Sequence, residues 1–325
     1  MFVIIPDVLK GAPDIEQKVF GDDVEILVAD KTHADQISEK EWKRCDVVLA
    51  WDKLEYDEQL LEKMENCKVI VRVGVGYENI DGPKANELGI KVCNVPDYGT
   101  EEVADHAIGM LLSLSRGMND FINRVRNRDW SRSHEMPFRL RGLTMGIIGA
   151  GRIGTATLMR ASSFGMHIIF YDPYVNDGYE KALGVDRMYS LEDLAKTSDI
   201  VSIHTPLSKE TNKMIGKRFF SVLKPGATII NTARGPIIDL EALYEAMLNN
   251  IVRAAGLDVL PIEPSDDSQT LIHAWEKSEL WIRDRLVVTP HIAFYSPESY
   301  EEMRRKAAEE AVRVVKGEQA RNCVN

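Results

Sequence analysis

The sequence predicts an α/β protein of two doubly wound parallel-sheet domains, and three observations carry that expectation. Short apolar runs of strand length alternate with polar, helix-patterned segments along most of the 325 residues, as βαβ units on a parallel sheet require. One run, 144–148, enters a G-x-G-x-x-G turn at Gly149, Gly151 and Gly154, and a second, 167–171, ends in Asp172. The chain is also long enough to bury two cores.

Taken in order, strand runs stand at 2–5, 25–28, 46–50, 69–73 and 91–94, with helical patterns at 58–65 and 82–89, the latter closed by Gly89. Together they predict one α/β domain. Thr100-Glu101-Glu102 reads as a capping box opening a helix over 103–118. Segment 119–142 is rich in Arg and carries Trp130, Met136 and Phe138 without a clear period. It fits either a solvated loop or an arm gripping a second subunit. Beyond the glycine turn, runs at 199–203, 227–231, 253–259 and 286–289 bring the expected strands of a dinucleotide-binding domain to six. An amphipathic helix over 297–316 ends at Gly317.

Composition narrows the function classes. At 44% hydrophobic and 28% charged residues the chain has the make-up of an ordinary soluble protein. A net charge of −11 argues against a nucleic-acid partner, whose footprint is a basic face. Cys45, Cys67, Cys93 and Cys323 lack C-x-x-C spacing, so reduced thiols and no metal site are expected. The N-terminus has no basic region before its short apolar run, and no stretch approaches membrane-spanning length. A cytoplasmic location without a membrane partner follows as an expectation.

Each glycine of the turn has its own mechanical role. Gly149 makes the tight bend, Gly151 lets a pyrophosphate approach, and Gly154 lets helix pack on strand. The helix start at Arg152 and Ile153 offers backbone N–H groups to phosphates. A glycine turn alone also arises for packing, but here both strands and the acid at an offset of roughly twenty residues are present. Asp172 would bind the adenosine ribose hydroxyls and repel a 2′-phosphate, and no Arg or Lys follows in 173–175. NAD is the expected cofactor, rather than NADP.

Ligands in such sheets bind beyond the carboxyl ends of the strands, so an interdomain cleft lined by strand ends is expected. Four constellations stand there. Glycines in 72–76 either present amides to an anion or serve a turn. Arg234, between a strand and Gly235-Pro236, can fork onto a carboxylate. Glu263 lies beyond a strand ending at Asp258, and apolar neighbours would raise its pKa. His204 and His291 alone among the seven histidines end predicted buried strands, and His titrates nearest working pH. Arg234, Glu263 and His291 form a coherent device for interconverting a 2-hydroxy acid and a 2-oxo acid. Arg234 would hold the carboxylate and polarise the carbonyl. His291 would exchange the proton, and Glu263 would orient the imidazole and favour its protonated form.

These residues resemble the D-isomer-specific 2-hydroxyacid dehydrogenases over nearly the whole chain, through 73–81, 149–154, 231–235, 257–264 and Thr289-Pro290-His291. Within that family the chain is most similar to the branch of the C-terminal binding proteins, through 90–96, 170–174, Tyr295-Ser296, Glu302-Met303-Arg304 and 322–325. The resemblance implies a flavodoxin-like substrate domain, 1–98 plus 292–325, and a Rossmann NAD-binding domain, 99–291. It implies Arg234, Glu263 and His291 as the catalytic set, and substrate contacts from Arg72 and the amides of Val73 and Gly74. Asp258 is implied at the nicotinamide carboxamide, with further cofactor contacts at Val103, His204, Thr205, Pro206, Thr211, Thr232 and Ala233, alongside Arg234 and His291. It also implies a homodimer. Two departures stand out: Phe294 replaces a Trp of the branch's animal members, and 265–285, with Trp275 and Trp281, is longer than expected. Phe294, Tyr295, Tyr77 and Trp51 are either pocket or core aromatics. A non-catalytic, NAD(H)-gated binding protein is the competing class.

Overall fold

The computed structural model describes residues 1–131 and 137–325; Met136, named above with the arm, lies outside them. The chain divides into two compact units, Met1–Gly99 with Tyr295–Asn325, and Thr100–Phe294.

The first unit holds five parallel strands, β1 Phe2–Ile5, β2 Glu25–Val28, β3 Val47–Ala50, β4 Val69–Arg72 and β5 Lys91–Cys93, in the order β2-β1-β3-β4-β5. That is the flavodoxin-type order. Period-2 alternation divides its apolar strands between two covered faces. Phe2, Ile4, Val48, Ala50, Ile70 and Val92 share one core with Trp42, Tyr56 and Leu61. The helix Pro297–Val315 packs on β3 and β4 and on the helix Asp14–Phe20. A capping box at Ser296 starts it. Arg304, at the heart of that contact, donates to both oxygens of buried Glu16 at 2.8 and 2.6 Å.

The second unit has, among the described residues, seven strands where six were expected: β6 Thr144–Ile148, β7 His167–Tyr171, β8 Asp186–Arg187, β9 Ile200–Ile203, β10 Ala227–Asn231, β11 Val252–Leu257 and β12 Leu286–Val288. The extra strand, β8, has two residues, too few for an alternation pattern. The order β12-β11-β10-β9-β6-β7-β8 reverses between β6 and β9, the switch point of a dinucleotide-binding sheet. Alternation again serves both faces: Ile148, Ile169, Val201, Ile229 and Leu257 join one core, while Ile147, Phe170, Ile200, Ile230 and Ala254 join the other.

Two segments depart from the sequence-based expectation. Within 119–142 the structure has a second helix, Met118–Arg126, after the long helix Thr100–Arg116. Buried Asp120 accepts from Arg124 Nε one turn on, at 2.9 and 2.8 Å. The long segment 265–285 contains the helix Thr270–Glu276, which buries Leu271, Ile272 and Ala274 in the core of the second unit. The return to the first unit was expected directly after His291. Instead Ile292 and Ala293 donate to Asp258, which keeps residues to Phe294 with the second unit. Among the described residues no helix is long and apolar enough to cross a membrane.

Candidate functional site

At the switch point the glycine turn has the shape its chemistry demands. Gly149 has φ +89°, and a Cβ there would lie 2.8 Å from the His204 carbonyl oxygen across the sheet. A Cβ on Gly154 would lie 1.9 Å from the Gly149 carbonyl oxygen. Gly151 is different: a Cβ would meet nothing within 4 Å, so its surface is open where a pyrophosphate must approach. Gly151 also caps the helix Arg152–Ser162 without a side-chain acceptor, leaving first-turn N–H groups available to an anion.

Around this turn stand buried polar atoms with no partner among the described residues: His204 Nδ1, Thr205 Oγ1 and Thr232 Oγ1. Unsatisfied buried groups are costly, and three at one set of strand ends fit a polar ligand. His204 shares its Nε2 with Ser202 Oγ at 2.8 Å, and burial pulls its pKa down to about 3. The imidazole is therefore neutral at working pH and does not act as an acid or base. Asp172, at the end of β7, accepts from the Ala150 and Tyr174 amides, each at 2.9 Å. A carboxylate offers about four acceptor sites, so it retains capacity for a ribose diol. Val103 is buried on the helix Thr100–Arg116, Ala233 is half-buried, and Arg152 and Pro206 are exposed. These residues suit NAD.

Arg234, Glu263 and His291 are brought together in this unit by three strand-end loops. His291 Nδ1 lies 2.7 Å from Glu263 Oε2, and their side chains keep 43% and 35% exposure, so the pair is accessible. Glu263 Oε1 accepts from the Leu260 amide at 2.7 Å. Gly235, after Arg234, packs so closely that a Cβ would lie 1.9 Å from the Leu260 carbonyl carbon. Arg234 donates through Nη1 to its neighbour's carbonyl, Ala233 O, at 2.8 Å. The expected rise in the Glu263 pKa does not occur. Burial pushes it up, but the hydrogen bond and charge of His291, the Leu260 amide and the charge of Arg234 together hold it below the ordinary carboxylate value.

Asp258, expected at the nicotinamide carboxamide, has a carboxylate that accepts from Thr289 Oγ1 at 2.6 Å and from the Ile292 and Ala293 amides at 2.9 Å. It holds the loop that carries His291, whose own amide donates to the Asp258 carbonyl at 2.8 Å. His106 Nε2, 2.9 Å from Thr289 Oγ1, extends this network; nothing in the spacing of residues so distant in sequence signals it. Thr211, also expected at the cofactor, has a hydroxyl that closes its own turn, donating to Pro206 O at 2.7 Å and accepting from Ser208 N at 2.8 Å.

In the first unit Arg72 ends β4 and Val73 and Gly74 follow it, with the two amides expected to bind a carboxylate both donating within the unit. Val73 N donates to Ala50 O at 2.7 Å and Gly74 N to Arg72 O at 2.9 Å. The next two amides, Val75 and Gly76, have no acceptor among the described residues. Trp51 is 5% exposed, with its ring centroid 5.5 Å from that of Tyr300, which makes it a core residue of this unit. Tyr77 and Tyr295 are exposed.

A doubly wound sheet with this turn at its switch point, and an Arg/Glu/His set at its strand ends, defines a nucleotide-dependent oxidoreductase fold. Residues 108–293 match the NAD-binding domain of the D-isomer specific 2-hydroxyacid dehydrogenases, and the chain belongs to that family. It is 35% identical over 301 residues to a D-3-phosphoglycerate dehydrogenase of Methanocaldococcus jannaschii, covering 93% of this chain and 55% of that protein. A second D-3-phosphoglycerate dehydrogenase, of Bacillus subtilis, is 33% identical over 300 residues, covering 92% and 55%. The chain thus spans about half the length of the curated relatives it matches. The crystal structure of a D-lactate dehydrogenase from Aquifex aeolicus, complexed with NAD and lactic acid, superposes with a TM-score of 0.85 at 30% identity, over 99% of this chain and 98% of that one.

Proposed function

We propose that the protein is an NAD-dependent D-2-hydroxyacid dehydrogenase, interconverting a D-2-hydroxy acid and its 2-oxo acid. The observation that carries the reading is the His291–Glu263 pair at 2.7 Å, in the same unit as the glycine turn and Arg234. Bound NAD supplies the hydride acceptor and donor. Arg234 binds the substrate carboxylate and polarises the carbonyl. His291 passes a proton to the carbonyl oxygen in reduction and removes it in oxidation. Glu263 fixes the tautomer by engaging Nδ1, which leaves Nε2 for the substrate.

A second reading is an NAD(H)-gated binding protein of the C-terminal binding protein branch, supported by the sequence likeness at 90–96 and 302–304. The intact Arg/Glu/His set favours the enzyme, since a scaffold has no physical need of it. NADH oxidation is the test, with a panel of 2-oxo acids including pyruvate, hydroxypyruvate, phenylpyruvate and phosphohydroxypyruvate. Turnover with at least one supports the dehydrogenase; tight NADH binding without turnover on any of them supports the scaffold.

The preference for NAD rests on Asp172. Replacing it with Ala removes a charge-assisted hydrogen bond worth about 1.5–3 kcal/mol and the repulsion of a 2′-phosphate. The ratio of kcat/KM with NADH to that with NADPH is expected to fall about 10- to 100-fold. An unchanged ratio would assign cofactor choice to other residues.

The homodimer is supported by an unpartnered stripe on the helix Met118–Arg126. Met118, Ile122 and Val125 are 48%, 44% and 47% exposed on one helical face, and Trp130 nearby is 83% exposed. Sedimentation should show a dimer that Ile122→Asp converts to monomer, whereas a monomeric parent protein refutes it. A cytoplasmic location is supported by the four free cysteines.

A further inference from the structure

We propose that Cys93 and Cys323 form a redox-active dithiol, a modification site that a hydroperoxide converts into an intrachain disulfide and that thiols restore. Cys93 ends β5 and Cys323 lies directly opposite it in an isolated antiparallel bridge. Val324 N donates to Val92 O at 2.9 Å, and Asn94 N to Asn322 O at 3.2 Å. These two bonds flank the cysteines rather than join them, which makes Cys93 and Cys323 a non-hydrogen-bonded pair. In such a pair the Cα atoms are about 4.5 Å apart and both side chains leave the same face. Disulfides span Cα separations of about 4.4–6.8 Å. A slip of one residue would turn Cys323 to the opposite face.

That register is pinned. Asn325 Oδ1 accepts from Val92 N at 2.8 Å, and its Nδ2 donates to Ile90 O at 2.9 Å. From the other side, Glu310 Oε1 accepts from the Arg321 and Asn322 amides at 2.6 and 3.1 Å. The register rests on bonds made by neighbouring residues, while the Cys323 thiol itself donates to Asn325 Oδ1 at 3.4 Å.

The two sulfurs have different environments, and this orders the chemistry. Cys323 is exposed and Cys93 buried. Burial, then the nearby Cys323 and Glu310, push the Cys93 thiol well up, so Cys93 is a poor first nucleophile. The Cys323 thiolate attacks the peroxide ROOH; the O–O bond breaks, giving Cys323–SOH and ROH. The Cys93 sulfur then attacks the Cys323 sulfur, the S–O bond breaks, and hydroxide leaves as water with the Cys93 proton. Glu310, whose carboxylate lies close enough to the Cys93 thiol to raise its pKa, is placed to relay that proton. Two thiols lose two electrons, and the peroxide is reduced to ROH and water. Cys45 and Cys67 offer no such start: both are buried, with thiols directed to Trp42 O at 3.1 Å and Val69 O at 3.5 Å.

The test uses the full chain. After exposure to a small excess of hydrogen peroxide, remaining thiols are alkylated under denaturing conditions and tryptic peptides are analysed by mass spectrometry. The expected result is a cross-linked peptide joining Cys93 to Cys323, with Cys45 and Cys67 fully alkylated. Dithiothreitol should abolish it, Cys323→Ser should prevent it, and the oxidised parent should melt at a higher temperature than the reduced one. Cys323 advancing to sulfinic acid while Cys93 stays alkylatable overturns the proposal, as does cross-linking of Cys323 between two chains.

Discussion

His291→Gln is expected to lower kcat for 2-oxo acid reduction by about 10²–10⁴, the usual contribution of a positioned general acid, with much less change in KM. Glutamine can still hydrogen-bond to Glu263, so the loop held by Asp258 and Thr289 should keep its shape; what is lost is the transferable proton. Steady-state kinetics decide, and a kcat near that of the parent would remove His291 from the proton-transfer role. The same pair sets an acid limit. Because the Glu263 pKa is depressed in the folded protein, the carboxylate's favourable interaction is fully present above the unfolded value, about 4.3. It fades only as pH falls through the lower folded value. Any loss of kcat between pH 5 and 7 therefore reports on another group, and Glu263→Gln should preserve its midpoint less well than Asp172→Ala, because only Glu263 touches the imidazole.

Gly154→Ala is expected to break cofactor binding and to destabilise the second unit together. The added methyl would fall 1.9 Å from the Gly149 carbonyl oxygen, a backbone atom in the very turn that must receive the pyrophosphate. No rotamer change relieves that contact, so the helix Arg152–Ser162 must shift from β6. Overpacking of this kind costs about 1–3 kcal/mol. The displaced helix start would also weaken NADH binding by at least about tenfold, since its amides form the anion site. Fluorescence titration with NADH and a thermal melt measure both. The contrasting variant, Gly151→Ala, meets nothing within 4 Å in the folded chain and should leave the melt nearly unchanged while impairing NADH binding. Equal effects of both variants on the melt would contradict this division of labour.

The sheets were legible because both faces of each are covered, so their strands are unbroken apolar runs: β1, β2, β7 and β10 begin and end at the residues expected. The glycine turn and the placing of Asp172, Arg234, Glu263 and His291 at or beyond strand ends of one sheet were legible because each follows an apolar run of strand length. What escaped the sequence is what depends on hydrogen-bond partners. Nothing in 72–76 says that Val73 donates to the neighbouring strand and Gly74 to its own turn. Nothing near Asp258 says that its carboxylate accepts from Thr289, Ile292 and Ala293. The pKa of Glu263 was misjudged for the same reason: apolar neighbours are visible in sequence, whereas the cations that outweigh them are contributed by other loops. The helix Met118–Arg126 was missed because its apolar positions point outward, and its pattern was diluted by the irregular residues that follow.

The first unit is assembled from two stretches of chain that flank the second unit, and this governs how it can be made. Its sheet precedes the second unit in the sequence, but the helix that covers β3 and β4 follows it, and Glu16 meets Arg304 only across 288 positions. A nascent chain emerging from the ribosome therefore carries an uncovered sheet face throughout synthesis of the second unit, which has all its strands in one continuous stretch and can complete its core earlier. Of the two units the first is the one that finishes folding later, and its exposed strands are where chaperone binding or aggregation during translation should concentrate.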